Sequence, residues 1–598
     1  MMKSYSNITA ALLSIALIAF QLQAQPIGTT ITVGTTWNDI QANGTVSRLI
    51  GTDYNSNTHI TWMNGLNSGA SQRHIYYNLI TPEDSLLYPG GLQIDQNVSA
   101  GYPCLALDPA GYFRIAYHCG DGISPYGTIA LTYTIPDFPA PITVYMNQFP
   151  IELLWPKIAR DISDRIHFII TTNPSQPGEP NCLHYCRGEF EMSGFSMSFS
   201  DLEFIDSLMV NGYTAAASPV SDRVAIGWLE MGATGSCNCY DNNVIVCVSE
   251  DGTTWNWSDT MNVTNFIPPD SSLLPDTTLA NMDTLRAYTS LCLFFDSRDI
   301  LHITFAVRGY YAIPGLLNWG NSFIYHWDEE NLETHIVADG WYEQHGWCDP
   351  GAWNIYISRS SLSEDTTNGN LYCIYQRYLS EDDTTDISAA GYPNGEIWCS
   401  VSTDYGVTWS EGTNLTNTHT PDALPNNCAS EITPSSALFA EGELRLMYVL
   451  DYDAGAVVQN EGTWTLNDVI YQHIPLEQIP AAPLIPDWPP LNVEHGVSVN
   501  HQPPTASLPL NPVIEYCYPN PFNSEIVIRY DVPASSEITL AIYDLLGRET
   551  ACLATGFHTP GEYTTSWKPD GKNPSGIYFA KLSGNSSNGQ TMKIIYLK

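Results

Sequence analysis

LFFDSRDILHITF, residues 293–305, is the stretch on which the fold turns. It reads as an apolar strand, a polar turn holding Asp296 and Asp299, and a second strand that ends on an aromatic, Phe305. Period-two alternation of β-branched and aromatic residues marks a half-buried strand, and Asp and Ser between two such runs mark a tight turn. The unit recurs as LIGTDYNSNTHITW (49–62), LALDPAGYFRIAY (105–117), IARDISDRIHFII (158–170), SPVSDRVAIGW (218–228), LSEDTTNGNLYCIY (362–375) and ALFAEGELRLMY (437–448). The closing residues Trp62, Tyr117, Ile169, Trp228, Phe305, Tyr375 and Tyr448 are spaced 55, 52, 59, 77, 70 and 73 residues apart. A third apolar strand usually follows, as in IYYNLI (75–80) and EIWCSVSTD (396–404).

A small sheet cannot bury both faces alone, whereas sheets stacked radially do. Repetition at this period therefore predicts an all-β chain whose body is a β-propeller. Seven copies predict seven blades, with six or eight left open. The strand Thr30–Val33 is expected to complete the last blade and latch the ring. Three histidines, His59, His167 and His302, recur at matching positions inside strands, which points to blade packing rather than catalysis or metal ligation.

Two copies carry a further signature, Ser402–x–Asp404–x–Gly406–x–Thr408–Trp409 and a shortened form, Ser249, Asp251, Gly252, Thr254 and Trp255. The Asp bonds the turn backbone, the Gly adopts a conformation other residues avoid, and the Trp packs under the hairpin. The signature resembles the Asp-box of sialidase-like and related propellers. There it is a folding element, so the resemblance implies fold and not activity.

The chain holds 63 Asp and Glu against 22 Lys and Arg, for a formal net charge of -41. From Pro512 onward there are seven basic and eight acidic residues, so the excess lies in the body, where Lys157 is the one lysine between Lys3 and Lys568. Such a body repels phosphate backbones and anionic membranes, which argues against nucleic-acid partners. No cofactor is expected. Weak calcium candidates are Glu381, Asp382, Asp383 and Asp386, and Asp451 with Asp453, but no Ca²⁺-loop pattern accompanies them. Cys104, Cys247, Cys292 and Cys373 fall in predicted strands and are expected as buried thiols. Cys182, Cys186, Cys237 and Cys239 are expected in loop disulfides, with the pairing left open, or on a metal; Cys517 and Cys552 are open to pairing with each other.

The ends describe export. Lys3 followed by the apolar run from Ile8 to Phe20, with Leu22–Gln23–Ala24 after it, reads as a signal peptide over residues 1–24. No other run is long enough to suggest a span of the mature chain. Residues 25–474 form the propeller, and ten prolines between Pro475 and Pro512 make 475–512 a linker. Residues 513–598 read as a small β-sandwich of half-buried strands, in which Ile526, Ile528 and Tyr530 alternate, as do Ile538, Leu540 and Ile542, and Ile577 with Phe579. The motifs Tyr518–Pro519–Asn520–Pro521–Phe522, Tyr543–Asp544–Leu545–Leu546–Gly547–Arg548, Gly576–Ile577–Tyr578 and the closing Lys593 to Lys598 resemble the C-terminal sorting domain of type IX secretion cargo. The resemblance covers residues 517–598. It implies an Ig-like module recognised by the secretion machinery, often removed at the surface, and a secreted or outer-surface location.

Function is sought on the loop-rich face. The stretch from Asp328 to Asn354 carries Trp341, Tyr342, Glu343, Trp347, Asp349 and Trp353, and Tyr310 and Tyr311 lie nearby. The aromatics are candidates for stacking on sugars or a protein ligand. Arg308 and Arg377 occupy matching positions beyond successive second strands, and with Glu343 and Asp349 they are the candidates for a sialidase-like hydrolase. The third arginine such an enzyme needs is not identified, and the two arginines are otherwise expected to pair with the acidic surface. No G-x-S-x-G, H-E-x-x-H or P-loop pattern occurs. The expected function is therefore glycan or protein binding at the cell surface, with glycoside hydrolysis and a structural envelope role as alternatives.

Overall fold

The structure is a computed structural model. It describes residues 25–598 except 121–126, 139, 150, 174–179, 192–194, 232–241, 267–284, 311–316, 341–347, 380–384, 483–511, 521, 533–535, 546, 560, 571–572 and 585–589. The leader expected at 1–24 lies outside the described residues. The chain divides into two compact units, which are taken separately.

Each copy of the repeat forms the first hairpin of one antiparallel sheet. In the fifth copy, Leu285–Phe295 pairs with Leu301–Tyr310, which pairs with Leu317–Asp328, which pairs with Thr334–Gly340. Among the described residues the body has seven such sheets; the third carries an additional strand, Glu203–Leu208. The turns form because one carboxylate gathers the loop. Asp296 Oδ1 accepts from the N–H of Arg298 at 2.9 Å and of Ile300 at 2.8 Å. Asp161 does the same for Ser163 and Arg165, and Asp53 for Asn55 and Asn57.

The three recurring histidines extend these turns inward. His167 Nε2 meets Asp161 Oδ2 at 3.1 Å and its Nδ1 meets the Tyr185 hydroxyl at 3.0 Å, all buried. His59 sits in the same way between Asp53 and Tyr77, and His302 between Asp296 and His326. A buried imidazole with both nitrogens partnered fixes turn, second strand and third strand to one another.

Apolar clusters fill the gaps between neighbouring sheets in chain order, as where Val246, Leu293 and Phe305 meet. The last gap joins the seventh sheet to the first, through Met447, Val469 and Tyr471 against Ile60 and Trp62. The ring is therefore closed. Closure uses the N-terminal strand Thr29–Thr36, longer than the Thr30–Val33 expected, which pairs with Asn467–Pro475 as the outer strand of the seventh sheet. Burying a Phe305 or Trp62 side chain contributes roughly 2–3 kcal/mol each.

The turns at Ser402–Trp409 and Ser249–Trp255 form between third and fourth strands. Asp404 accepts from Thr408 N at 2.8 Å and from Ser402 Oγ at 2.8 Å, and Trp409 Nε1 donates to Gly406 O at 3.0 Å. Gly406 has φ of 98°, and a Cβ there would lie 2.1 Å from the His326 ring. Asp251 likewise holds the N–H groups of Thr253 and Thr254. Its Trp255 stacks parallel on Trp257, with ring centroids 4.8 Å apart.

The centre of the ring is filled by the segment between Trp37 and Leu49, which follows the closing strand. Lys157 Nζ donates to Thr45 O at 2.5 Å and to Ser47 Oγ at 2.8 Å. Thr45 Oγ1 bonds Thr289 O, Ser435 Oγ bonds Ser47 O, and Arg48 reaches Ser361, Leu362 and Ser436. Burial pulls the Lys157 ammonium down to about 8.

Three expectations are corrected. Cys182 and Cys186 are unpaired, and both lie in the strand Asn181–Phe190. Four residues along a strand span about 13 Å, too far for a disulfide. Cys517 is buried and Cys552 exposed, and they too are unpaired, as are Cys104, Cys247, Cys292, Cys348, Cys373, Cys399 and Cys428; Cys237 and Cys239 lie outside the described residues. Residues expected to begin the linker stay on the body: Leu476–Gln478 form a 3-10 turn, Ile479 is buried against the seventh sheet, and Ala482 O accepts from Glu411 N.

The second unit is a sandwich of Val513–Tyr518, Ile526–Val532 and Gly561–Trp567 against a four-stranded sheet, Glu549–His558, Ser536–Asp544, Gly576–Ser583 and Gln590–Tyr596. Ile526, Ile528, Tyr530, Ile538, Leu540 and Ile542 face its core. In the strand Gly576–Ser583 the buried set is Tyr578, Ala580 and Leu582, so the alternating pair Ile577 and Phe579 points to the opposite face. Asn520 caps the closing strand, accepting from Ile595 N and donating to Lys593 O. Among the described residues no helix is long and apolar enough to cross a membrane.

Candidate functional site

The Asp turns close one end of the ring. At the other end lie the entries to the first strands and the connections from second to third strands, and there the innermost strands depart from regular pairing. Register shifts interrupt five of them, at Gly101/Cys104, Leu154/Lys157, Ala287/Leu291, Ser358/Ser361 and Ile432/Ser435. Each bulge holds a non-glycine residue with positive φ: Tyr102 at 57°, Trp155 at 48°, Thr289 at 51°, Arg359 at 57° and Thr433 at 57°. A bulge re-aims a side chain, and a left-handed backbone outside glycine costs of order 1–3 kcal/mol. Strain repeated at one level of five sheets marks this end as the candidate site.

On the side of the first three sheets the re-aimed residues form a basic and aromatic group. Tyr102 lies 5.2 Å from the His118 ring and 6.5 Å, edge-on, from Trp155, with the Arg73 guanidinium over its face at 5.8 Å. Trp155 N donates to His118 Nδ1 at 3.3 Å. Burial and then Arg73 push His118 down to about 3, so it is neutral at physiological pH.

Between the sixth and seventh sheets the end sinks into a small recess lined by Asp39, Asn354, Arg359, Tyr378, Thr433 and Asp451, among others. Asp39 comes from the central segment and is fixed by the N–H of Ile40 and of Val457, both at 2.9 Å. Asp451 ends the seventh sheet's second strand; its Oδ1 accepts from Asp453 N at 3.2 Å and Thr465 Oγ1 at 3.3 Å. Burial raises both carboxyls, Asp39 to about 6 and Asp451 well above the carboxylate range, the latter also through Asp39. Two neighbouring carboxyls out of water do not both ionise cheaply, so the pair holds a proton near neutrality. Arg359 donates to Gln376 Oε1 at 2.6 Å and Asn354 Oδ1 at 2.9 Å, both uncharged. Glu461 stitches the rim, accepting from Ala352 N at 2.9 Å and Ala456 N at 3.1 Å.

Of the residues singled out in the sequence, Trp353 stands at this rim, 54 % exposed with φ of 62°, between the recess residues Ala352 and Asn354. Asp349 is exposed and caps Gly351 N at 3.0 Å. Arg308 is buried with its guanidinium 4.7 Å from the Tyr288 ring; Arg377 lies 4.6 Å from the Trp398 ring and donates to Leu379 O. Each arginine is thus laid on an aromatic face of the sheets. Tyr311, Trp341, Tyr342, Glu343 and Trp347 lie outside the described residues, as does the side chain of Tyr310. Among the calcium candidates, Asp386 accepts from Asn394 and Thr420, while 381–383 lie outside the described residues. The described residues contain no group of three or more His, Cys, Asp or Glu placed to hold a metal.

Residues 516–597 match the family described as a secretion system C-terminal sorting domain. The chain therefore carries a type IX sorting module and is a secreted or cell-surface protein. No curated protein matches the chain. Among solved structures, the polysaccharide lyase Uly1 is similar at 10 % identity over 76 % of this chain and 98 % of its own, with a TM-score of 0.40. A PL25 ulvan lyase is similar at 12 % identity over 71 % and 97 %, with a TM-score of 0.41. An α-L-arabinanase of Penicillium chrysogenum is similar at 9 % identity over 64 % and 94 %, with a TM-score of 0.37. At this level of likeness no residue's role carries over.

Proposed function

We propose that this exported propeller binds a glycan across the bulged end of its ring. The observation that carries the reading is the set of re-aimed residues, Tyr102, Trp155, Arg359 and Thr433, with the exposed Trp353 at the rim. Aromatic faces pair with the apolar faces of sugar rings, while planar amide, carboxyl and guanidinium groups bond hydroxyls. The acidic body excludes polyphosphate ligands, and export places the protein where glycans are met. The test is a glycan-array screen of the purified protein and of Trp155→Ala and Trp353→Ala variants. The reading expects glycan binding that weakens about tenfold in one or both variants; silence across the array in the folded protein refutes it.

A second reading, glycan hydrolysis, is favoured by one observation: Asp39 and Asp451 share a recess, and burial raises both carboxyls so that the pair holds a proton, as general acid–base work requires. Mass spectrometry of the same wells separates the two, since hydrolysis leaves products and binding does not. Silence on the array moves the reading to a protein ligand or a structural role in the envelope.

A further inference from the structure

We infer that the recess beside Asp39 is a subsite for the hydroxyl edge of an uncharged sugar residue at a chain end. This deepens the glycan-binding reading and rests on it.

Shape argues for an end. The recess is backed by the central segment that carries Asp39, and the ring behind it is filled by the bonds of Lys157, Thr45, Ser47 and Arg48. A polymer has no path through; the recess has room for about one hydroxyl-sized group, which a sugar lying at the rim can present where Trp353 offers a face beside Asn354.

Unspent hydrogen-bonding capacity argues for hydroxyls. Asp451 is 3 % exposed, and its Oδ2 has no hydrogen-bond donor among the described residues. Arg359 spends one N–H on Gln376 and one on Asn354, leaving Nε and the remaining hydrogens of both terminal nitrogens without an acceptor there. Asp451 is buried and Arg359 half-buried, and both line the recess, so this capacity is open to a group that enters it. A vicinal diol both donates and accepts, and it satisfies carboxyl and guanidinium together.

Charge argues for a neutral residue. An anionic sugar would meet Asp39 and Asp451 in the recess, and Glu461 at its rim, with Arg359 as the cation lining the recess. A cationic sugar would meet that guanidinium first.

The test uses the full protein and its array hits. Neutral gluco-, galacto-, manno- and arabino-oligosaccharides are presented with free ends, with methyl-capped terminal hydroxyls, and with terminal uronic acids. Free neutral ends are expected to bind about tenfold or more tighter than capped or uronate ends. Asp451→Asn and Arg359→Gln are expected to abolish that preference, while Trp155→Ala lowers affinity without changing it. Equal binding of free and capped ends, or preference for uronate ends, overturns the inference and leaves the glycan reading standing. Absence of all binding defeats both. The ligand series on the unaltered protein decides the matter even if a variant fails to fold.

Discussion

Lys157 offers the sharpest check on the closed, filled ring. Its ammonium is 3 % exposed and bonds only uncharged oxygens, Thr45 O and Ser47 Oγ. Burial holds it at about 8 in the folded protein against an ordinary 10.5. A lysine lowered on folding penalises the native state while it stays charged, and the penalty fades as pH rises from the folded value towards the unfolded one. At about 1.36 kcal/mol per pKa unit the full penalty is roughly 3 kcal/mol, of which about 2 kcal/mol is relieved between pH ~7.5 and ~9.5. Absolute stability will still fall over this range. Buried thiols such as Cys373 and Cys399 are raised by burial, and a group raised on folding loses its contribution as pH climbs past its unfolded value. The readable quantity is therefore the difference in urea-unfolding free energy between the unaltered protein and Lys157→Met, under reducing conditions. That difference is expected to shift towards the lysine protein by about 2 kcal/mol across the window. At the lower pH, loss of the two hydrogen bonds and relief of the buried charge largely offset each other. A difference that stays flat or moves the other way would refute the burial of Lys157 at the ring's centre.

Trp409→Ala is expected to cost about 3–5 kcal/mol, measured as a drop in the denaturation midpoint, because the ring is 2 % exposed, packs on His326 and bonds Gly406 O. Glycan binding by the fraction that remains folded should be unchanged; selective loss of binding would make this turn part of a site. Deleting residues 517–598 is expected to trap the protein in the periplasm, and surface labelling of the deletion strain at the level of the parent would contradict the sorting assignment.

The repeat was legible because its signals are local. Asp296 gathers N–H groups two and four residues on, and the strands beside it alternate at period two, so a short window states the hairpin. The bulges were not read from the sequence, although three of the five carry a local signal. Tyr102–Pro103, Trp155–Pro156 and Thr433–Pro434 each precede a copy of the unit, and Tyr102 and Trp155 stand six residues before the turn aspartates Asp108 and Asp161. A bulky residue followed by proline at that fixed place marks where the inner strand breaks register.

Sequence by itself determined the repeated hairpins, the aspartate-gathered turns, the latching strand and the sorting module, since each is written in contacts between near neighbours or in a contiguous motif. Only the tertiary structure brought the candidate site together. Asp39 follows the first strand of the chain, Arg359 and Tyr378 belong to the sixth sheet and Asp451 to the seventh, and no spacing relates them. They meet because the ring closes through Thr29–Thr36 on Asn467–Pro475, which carries Asp39 to the seventh sheet and the next residues into the centre. The same closure buries Lys157, while Arg308 and Arg377 are laid on aromatic faces by strand pairing within the fifth and sixth sheets.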